Sequence, residues 1–135
     1  MAGLTIIVIV DAEEIYSGIG LLLEKRGHRV IEAANNPEAV EKIRREGPDL
    51  LLIDTDLAPA KSLVNARGLR ERAHLHDLTI VVVTSQKMPR LIGDSAAVAH
   101  NDYVIHQGDF EQLKKILNRL SLETSSLVST ETGGN

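Results

Sequence analysis

The segment Pro48-Asp49-Leu50-Leu51-Leu52-Ile53-Asp54-Thr55-Asp56-Leu57 decides the fold of this chain. Residues 50–53 form a short, unbroken apolar run, which is typical of a parallel strand covered by helices on both faces. The run ends at Asp54, where such a strand meets solvent. Ligands of open α/β sheets bind outside the carboxyl ends of the strands, and a carboxylate buried there without a partner, metal or modification is costly. Asp54 is therefore the first candidate functional residue.

Composition restricts the classes of function. The 135 residues suffice for one α/β domain, and the formal charge of −4 argues against nucleic acid as the main direct partner. No apolar run has the length of a membrane span, and residues 4–10 lack the basic start and cleavage site of a signal peptide. The absence of cysteine excludes disulfides and thiolate zinc sites and fits a reducing cytoplasm. We therefore expect a cytoplasmic protein that binds neither membrane nor nucleic acid directly.

Strand and helix patterns alternate along the chain. Strands are predicted at residues 5–10, 28–33, 50–53, 78–83 and 103–105, and helices at 13–26, 37–46, 62–75, 89–99 and 109–120. Right-handed crossovers then give an α/β domain with a doubly wound, five-stranded parallel sheet. A loop is predicted around residues 58–60. From Ser121 the composition turns to Ser, Thr and Gly, so we expect a domain over residues 1–120 and a disordered tail over 121–135.

Polar residues follow four of the predicted strands: Asp11, Asp54, Thr84 and His106. The carboxyl ends of parallel strands share one edge, so the fold alone gathers these residues into one cleft. Two carboxylates and a neighbouring main-chain carbonyl suit Mg²⁺. A carboxylate beside such a cation can attack a phosphoryl group and form an acyl phosphate, and a hydroxyl can hydrogen-bond the phosphoryl oxygens.

Four motifs in order carry a resemblance to a known family: VIVD (8–11), PDLLLID (48–54), VVVTS (81–85) and DYVIH (102–106). With these motifs, residues 4–120 resemble a response-regulator receiver domain, similar to the chemotaxis receiver. The 30 residues from Asp54 to Thr84 and the 22 from Thr84 to His106 fit that family without gaps. The resemblance implies a flavodoxin-like (βα)5 fold with strand order 2-1-3-4-5.

The resemblance also implies roles for individual residues. Asp54 is the phospho-acceptor, and Mg²⁺ is bound by Asp11, Asp54 and the main-chain carbonyl of Asp56. Thr84 is the switch hydroxyl, and Tyr103 takes the place of the aromatic ring that rotates on activation. The implied function is signal transduction, without enzymatic activity beyond the domain's own phosphoryl acceptance and hydrolysis. The implied partners are a sensor histidine kinase or phosphotransfer protein, a downstream protein or output domain, and a second copy bound through the face of the fourth helix, fifth strand and fifth helix.

The sequence departs from the family pattern at two places. The first strand is followed by one acid instead of two: either Val10 replaces the first acid and Asp11 is the second, or Ala12 is the lost ligand. The family's lysine position holds His106, followed by Gln107 where proline is expected. A lysine is a constant point charge, whereas a histidine is shorter and largely neutral near pH 7. These departures favour a second interpretation, a pseudo-receiver that binds a partner or dimerises without phosphorylation.

Simpler interpretations apply to several of these residues. Asp11 can cap the first helix, Thr84 can merely end a strand, and His106 can be a spacer instead of a pH-dependent phosphate contact. His74 and His76, and the three arginines of the third predicted helix, are expected to be solvated: Arg67, Arg70 and Arg72. A flavin or nucleotide carrier with the same strand order is disfavoured, because Asp11 to Glu14 offer no glycine-rich phosphate loop.

Overall fold

A computed structural model of the chain describes residues 3–10, 18–34, 37–54, 59–84, 97–99, 101–106 and 108–133. Within these ranges the strands are β1 (Thr5–Val10), β2 (Arg29–Ala34), β3 (Leu50–Asp54), β4 (Thr79–Thr84), β5 (Ala97–Ala99) and β6 (Asp102–His106). The helices are α1 (Ile19–Lys25), α2 (Pro37–Glu46), α3 (Pro59–Arg72) and α4 (Phe110–Gly133). None of the helices in these ranges combines the length and the apolarity that crossing a membrane requires.

The sheet confirms the predicted fold. Five strands run parallel in the order β2-β1-β3-β4-β6, which is the expected 2-1-3-4-5 arrangement with β6 as the fifth parallel strand. The short strand β5 lies outside β6 and pairs with it in the antiparallel direction. The predicted helix over residues 89–99 is therefore wrong at its end, where residues 97–99 form a strand, and residues 89–96 lie outside the described ranges.

Two apolar layers cover the sheet, one on each face. The face toward α2 and α3 buries alternate strand residues such as Ile9, Leu51 and Val82 against helix residues that include Ile43 and Leu69. The opposite face buries the other set against α1 and α4, among them Leu23, Leu52, Val83, Leu113 and Leu117. Leu50 to Ile53 on β3 are all buried, because the central strand is covered from both sides.

Glycine determines where the described part of α1 begins. The sequence predicts a helix over residues 13–26, but Gly18 has φ of +81°, a left-handed conformation that a continuous right-handed helix does not contain. The helix begins after it, at Ile19, and residues 11–17 lie outside the description. In this helix Leu23 is fully buried, whereas Leu22 is 47% exposed.

The bounds of the last two helices also differ from the prediction. Helix α3 begins at Pro59, inside the predicted loop, because proline is favourable at the first helical position. It ends at Arg72, and His74 follows with a left-handed φ of +59°. Helix α4 runs from Phe110 to Gly133, past the predicted helix end at residue 120. Ser and Thr lower helix propensity by only a few tenths of a kcal/mol each, and no proline follows Leu120 to stop the helix.

Candidate functional site

The carboxyl ends of the parallel strands meet in register. Asp54, the last residue of β3, lies between Val10 at the end of β1 and Val83 on β4. Thr84, the last residue of β4, is paired with His106 at the end of β6. With a strand spacing of about 4.8 Å and a rise of about 3.3 Å per residue, the Cα atoms of Asp54 and Thr84 are about 6 Å apart. The two predicted site residues therefore share one rim of the sheet.

The Asp54 carboxylate is partly buried and partly open to solvent at this rim. Among the residues that the structure describes, it has no hydrogen-bonding or ion-pairing partner. A carboxylate in that situation is suited to a hard cation or to a covalent modification. Asp11 and Asp56, the other predicted Mg²⁺ ligands, lie outside the described ranges. Val10, the last described residue before Asp11, is paired with Asp54. Within the described ranges, no three acidic or histidine side chains are grouped to hold a metal.

Thr84 is almost completely buried, with 1% of its surface exposed. Thr84 ends strand β4, whose other residues, Thr79 to Val83, are all buried between the two helical layers. The hydroxyl is thereby held at the rim by the packing of its own strand. That position suits a group that hydrogen-bonds to a phosphoryl oxygen on the neighbouring strand.

His106 ends β6 on the exposed side of the same rim. Its Nδ1 accepts a hydrogen bond from the Gly108 N–H at 3.3 Å, and its carbonyl accepts one from the Asp109 N–H at 2.9 Å. The imidazole is thus turned toward its own following loop and leaves Nε2 as the nitrogen available to other groups. A lysine at this place would instead carry its charge at the end of a long flexible stem.

A cavity of about 220 Å³ lies below His106, between the start of α4 and helix α1. Ile19 and Leu22 line it from α1, and Phe110 and Leu113 line it from α4. Asp109 caps α4, since its Oδ1 accepts the backbone N–H of Gln112 at 3.2 Å. The Arg26 guanidinium lies 5.1 Å from the centre of the Phe110 ring. The candidate site thus has an apolar neighbour built from α1 and α4.

Tyr103 lies on β6 three residues before His106 and is paired with Val81 of β4. Its ring is partly buried against the apolar layer under α4. The phenolic oxygen accepts a hydrogen bond from Arg119 Nη1 of α4 at 2.8 Å. The sequence does not predict this contact, because Arg119 is 16 residues away and stands on an exposed helix face.

The sequence analysis also missed a buried ion-pair cluster at the opposite end of β6. Asp102 is 2% exposed, and its two carboxylate oxygens accept hydrogen bonds from Arg67 Nε at 2.7 Å and Arg70 Nη1 at 2.5 Å. Arg70 also donates to the Leu78 carbonyl at 3.1 Å. The expectation of solvated arginines is therefore wrong for Arg70, whose side chain is 15% exposed. Arg67 is ion-paired but 42% exposed, and Arg72 is exposed. One feature of the sequence could have indicated this cluster: Asp102 is an acidic residue at the first position of a buried strand.

The charge balance at Asp102 follows from these contacts. Burial by itself raises the pKa of the Asp102 carboxyl, but the hydrogen bonds and charges of Arg70 and Arg67 outweigh it and hold the pKa below its usual range. Asp102 is therefore a structural anion at neutral pH. It lies at the amino ends of the strands, away from the candidate site.

His74 and His76 are exposed, as expected. They lie in the turn after α3, which ends at Arg72. Their rings meet edge to face with 6.4 Å between centroids. They line a shallow surface depression with Asp49 and Asp77 at the amino edge of the sheet.

Comparisons with known proteins agree with the fold of this chain. A family model described as the response regulator receiver domain matches residues 6–118. The protein PilH of Pseudomonas aeruginosa is 30% identical over 116 residues, which cover 83% of this chain and 93% of PilH. Three further relatives are transcriptional regulatory proteins, and this chain spans only 35% to 38% of their length.

Solved structures show the same fold. The anti-anti-sigma factor PhyR of Bartonella quintana superposes with a TM-score of 0.60 at 18% identity, over 98% of this chain and 52% of PhyR. The N-terminal domain of a response regulator/sensory box/GGDEF three-domain protein from Carboxydothermus hydrogenoformans gives a TM-score of 0.54 at 24% identity. That alignment covers 91% of this chain and 98% of the other.

Proposed function

Because the chain belongs to the response regulator receiver domain family, we propose that it accepts a phosphoryl group on Asp54 and so relays a signal. The observation that supports this proposal is the position of Asp54: a partly buried carboxylate at the carboxyl rim, in register with the strand that carries Thr84. The donor is the phosphohistidine of a sensor histidine kinase or phosphotransfer protein. Such signalling takes place in the cytoplasm, in keeping with the cysteine-free composition.

The transfer is a substitution at phosphorus. A carboxylate oxygen of Asp54 attacks the phosphorus, the P–N bond to the donor imidazole breaks, and its electron pair stays on that nitrogen. The product is an acyl phosphate on Asp54. Water later attacks the same phosphorus and returns the free carboxylate and inorganic phosphate, so the domain catalyses only its own modification and its reversal.

Mg²⁺ is the cofactor in this proposal, held by Asp11, Asp54 and the main-chain carbonyl of Asp56. When bound there, Mg²⁺ would neutralise negative charge on the phosphoryl group. Mg²⁺ prefers oxygen ligands, and the Asp54 carboxylate, which has no partner among the described residues, is of that type. Thr84 donates its hydroxyl to a phosphoryl oxygen and so reports the modification to strand β4.

Phosphorylation changes the surface around β6 and α4, where Tyr103 lies. This change alters the binding of a downstream protein, an output domain or a second copy. One observation favours the pseudo-receiver as a second candidate. His106 is exposed and has its Nδ1 engaged with the Gly108 N–H, so it does not reproduce the reach and constant charge of a lysine. In that case the same surface binds its partner without phosphate.

The two candidates differ in the mass of the treated protein. After incubation with acetyl phosphate or phosphoramidate and Mg²⁺, intact-mass analysis is expected to show one added phosphoryl group. The addition should vanish in Asp54→Asn and persist in Asp77→Asn, which removes an exposed acid at the other edge of the sheet. If no phosphate is gained over a range of pH, phosphoryl acceptance is refuted and constitutive binding is favoured.

A further inference from the structure

Strand β6 is fixed at its first residue. Both carboxylate oxygens of Asp102 are bound by arginines of α3, and Arg70, with 15% of its side chain exposed, is additionally bound to the Leu78 carbonyl. A shift of β6 along β4 would separate these charges inside the protein, which is strongly unfavourable. The backbone at the amino end of β6 is therefore the immobile part of this strand.

Tyr103, the next residue, is held by a much weaker attachment. Its ring rests partly buried against the apolar layer of α4, and its phenolic oxygen accepts one hydrogen bond from the exposed Arg119. An exposed hydrogen bond of this kind exchanges readily with water and contributes little net stability. With the strand fixed and the ring weakly bound, movement at this place is available to the side chain and not to the backbone.

We infer that Arg119 is a positioning residue that sets the resting orientation of Tyr103, so that the ring must leave Arg119 when Asp54 is modified. This inference rests on the proposed function, because it assigns to Tyr103 the response to a group bound at Asp54. In a two-state equilibrium, a ligand shifts the population only as far as it binds one state better. A bond present only in the resting state opposes that shift, and its removal makes the ligand bind more tightly.

The test uses beryllofluoride with Mg²⁺ as the phosphoryl mimic. Arg119→Met and Tyr103→Phe each remove the same hydrogen bond, and each is expected to tighten beryllofluoride binding by about threefold, the effect of one exposed hydrogen bond. Adding Tyr103→Phe to Arg119→Met should give no further tightening, because the hydrogen bond between the two side chains is already absent in Arg119→Met. Lys115→Met is the matched control, since it removes an exposed positive charge from the same helix without touching Tyr103. Unchanged or weaker binding in Arg119→Met, or equal tightening in Lys115→Met, overturns the inference.

A second measurement does not depend on phosphate chemistry. With 3-fluorotyrosine incorporated in a Tyr16→Phe background, Tyr103 is the only tyrosine and gives one fluorine resonance. Without ligand, that resonance is expected to shift in Arg119→Met and to keep its position in Lys115→Met; an unchanged position in Arg119→Met overturns the inference. If the wild type fails to bind beryllofluoride while the resonance still moves in Arg119→Met, the proposed phosphoryl acceptance fails and the positioning of the ring by Arg119 stands.

Discussion

Replacing Asp102 by asparagine tests the ion-pair cluster that joins α3 to β6. The change keeps the shape of the side chain but leaves the guanidinium of Arg70, 15% exposed, without its counter-charge. Breaking a buried pair from one side costs roughly 3–5 kcal/mol. Arg70 keeps the Leu78 carbonyl as an acceptor, so we expect the lower end, about 3 kcal/mol. For a domain of this size that corresponds to a melting temperature lower by about 10 °C.

The assay is urea unfolding followed by circular dichroism, with two comparison variants. Arg67→Met removes the partner that is 42% exposed and should cost less than about 1 kcal/mol. Glu71→Gln changes an exposed acid on the same helix and should stay within about 0.5 kcal/mol. The reasoning is refuted if Asp102→Asn loses no more stability than Glu71→Gln, or if Arg67→Met is as damaging as Asp102→Asn.

The same cluster has a defined pH dependence. Because the pKa of Asp102 is lower in the folded protein, its contribution is complete above the ordinary carboxyl pKa of about 3.9 and is lost as the pH falls through the folded value. The free energy of unfolding should therefore fall less steeply with decreasing pH at acid pH in Asp102→Asn than in the wild type.

Two further predictions concern single contacts. Burial, and then the charge of Arg26, lower the pKa of His28, whose Nδ1 accepts the Leu4 N–H at 3.0 Å. The contribution of His28 to stability is thus present above the ordinary histidine pKa of about 6.5 and is lost as the pH falls through the lower folded value. The urea midpoint should therefore drop less between about pH 7 and about pH 5 in His28→Gln than in the wild type. An equal drop in both proteins would contradict this. Asp109→Ala should lower the free energy of unfolding by about 1 kcal/mol, because the cap of α4 is lost. Asp109→Asn, which keeps the capping oxygen, should lose much less, and equal losses in both variants would show that the cap is not the cause.

Local patterns predicted the parts of the fold that depend on burial. The run Leu50 to Ile53 predicted a strand covered on both faces, and all four residues are buried. Asp54, Thr84 and His106 end their strands at one edge as expected, because parallel strands place their carboxyl ends together. The functional roles of these residues remain predictions.

Contacts between distant segments were not predictable in the same way. Asp102 meets Arg70 across 32 residues and Tyr103 meets Arg119 across 16, and nothing in the local sequence of either pair indicates the other. The strand at residues 97–99 was also missed, since Ala-Val-Ala has no strand pattern of its own. It pairs with β6 through a tight turn in which Asn101 has a left-handed φ of +64°.

That reversed strand has a consequence for how copies of this protein meet in a crowded cell. Among the described residues, the outermost strand on the β6 side is β5, which has three residues and pairs irregularly with β6. A strand edge so short and irregular is a poor template for pairing with a neighbouring chain. We therefore expect β5 to disfavour edge-to-edge association at that side of the sheet.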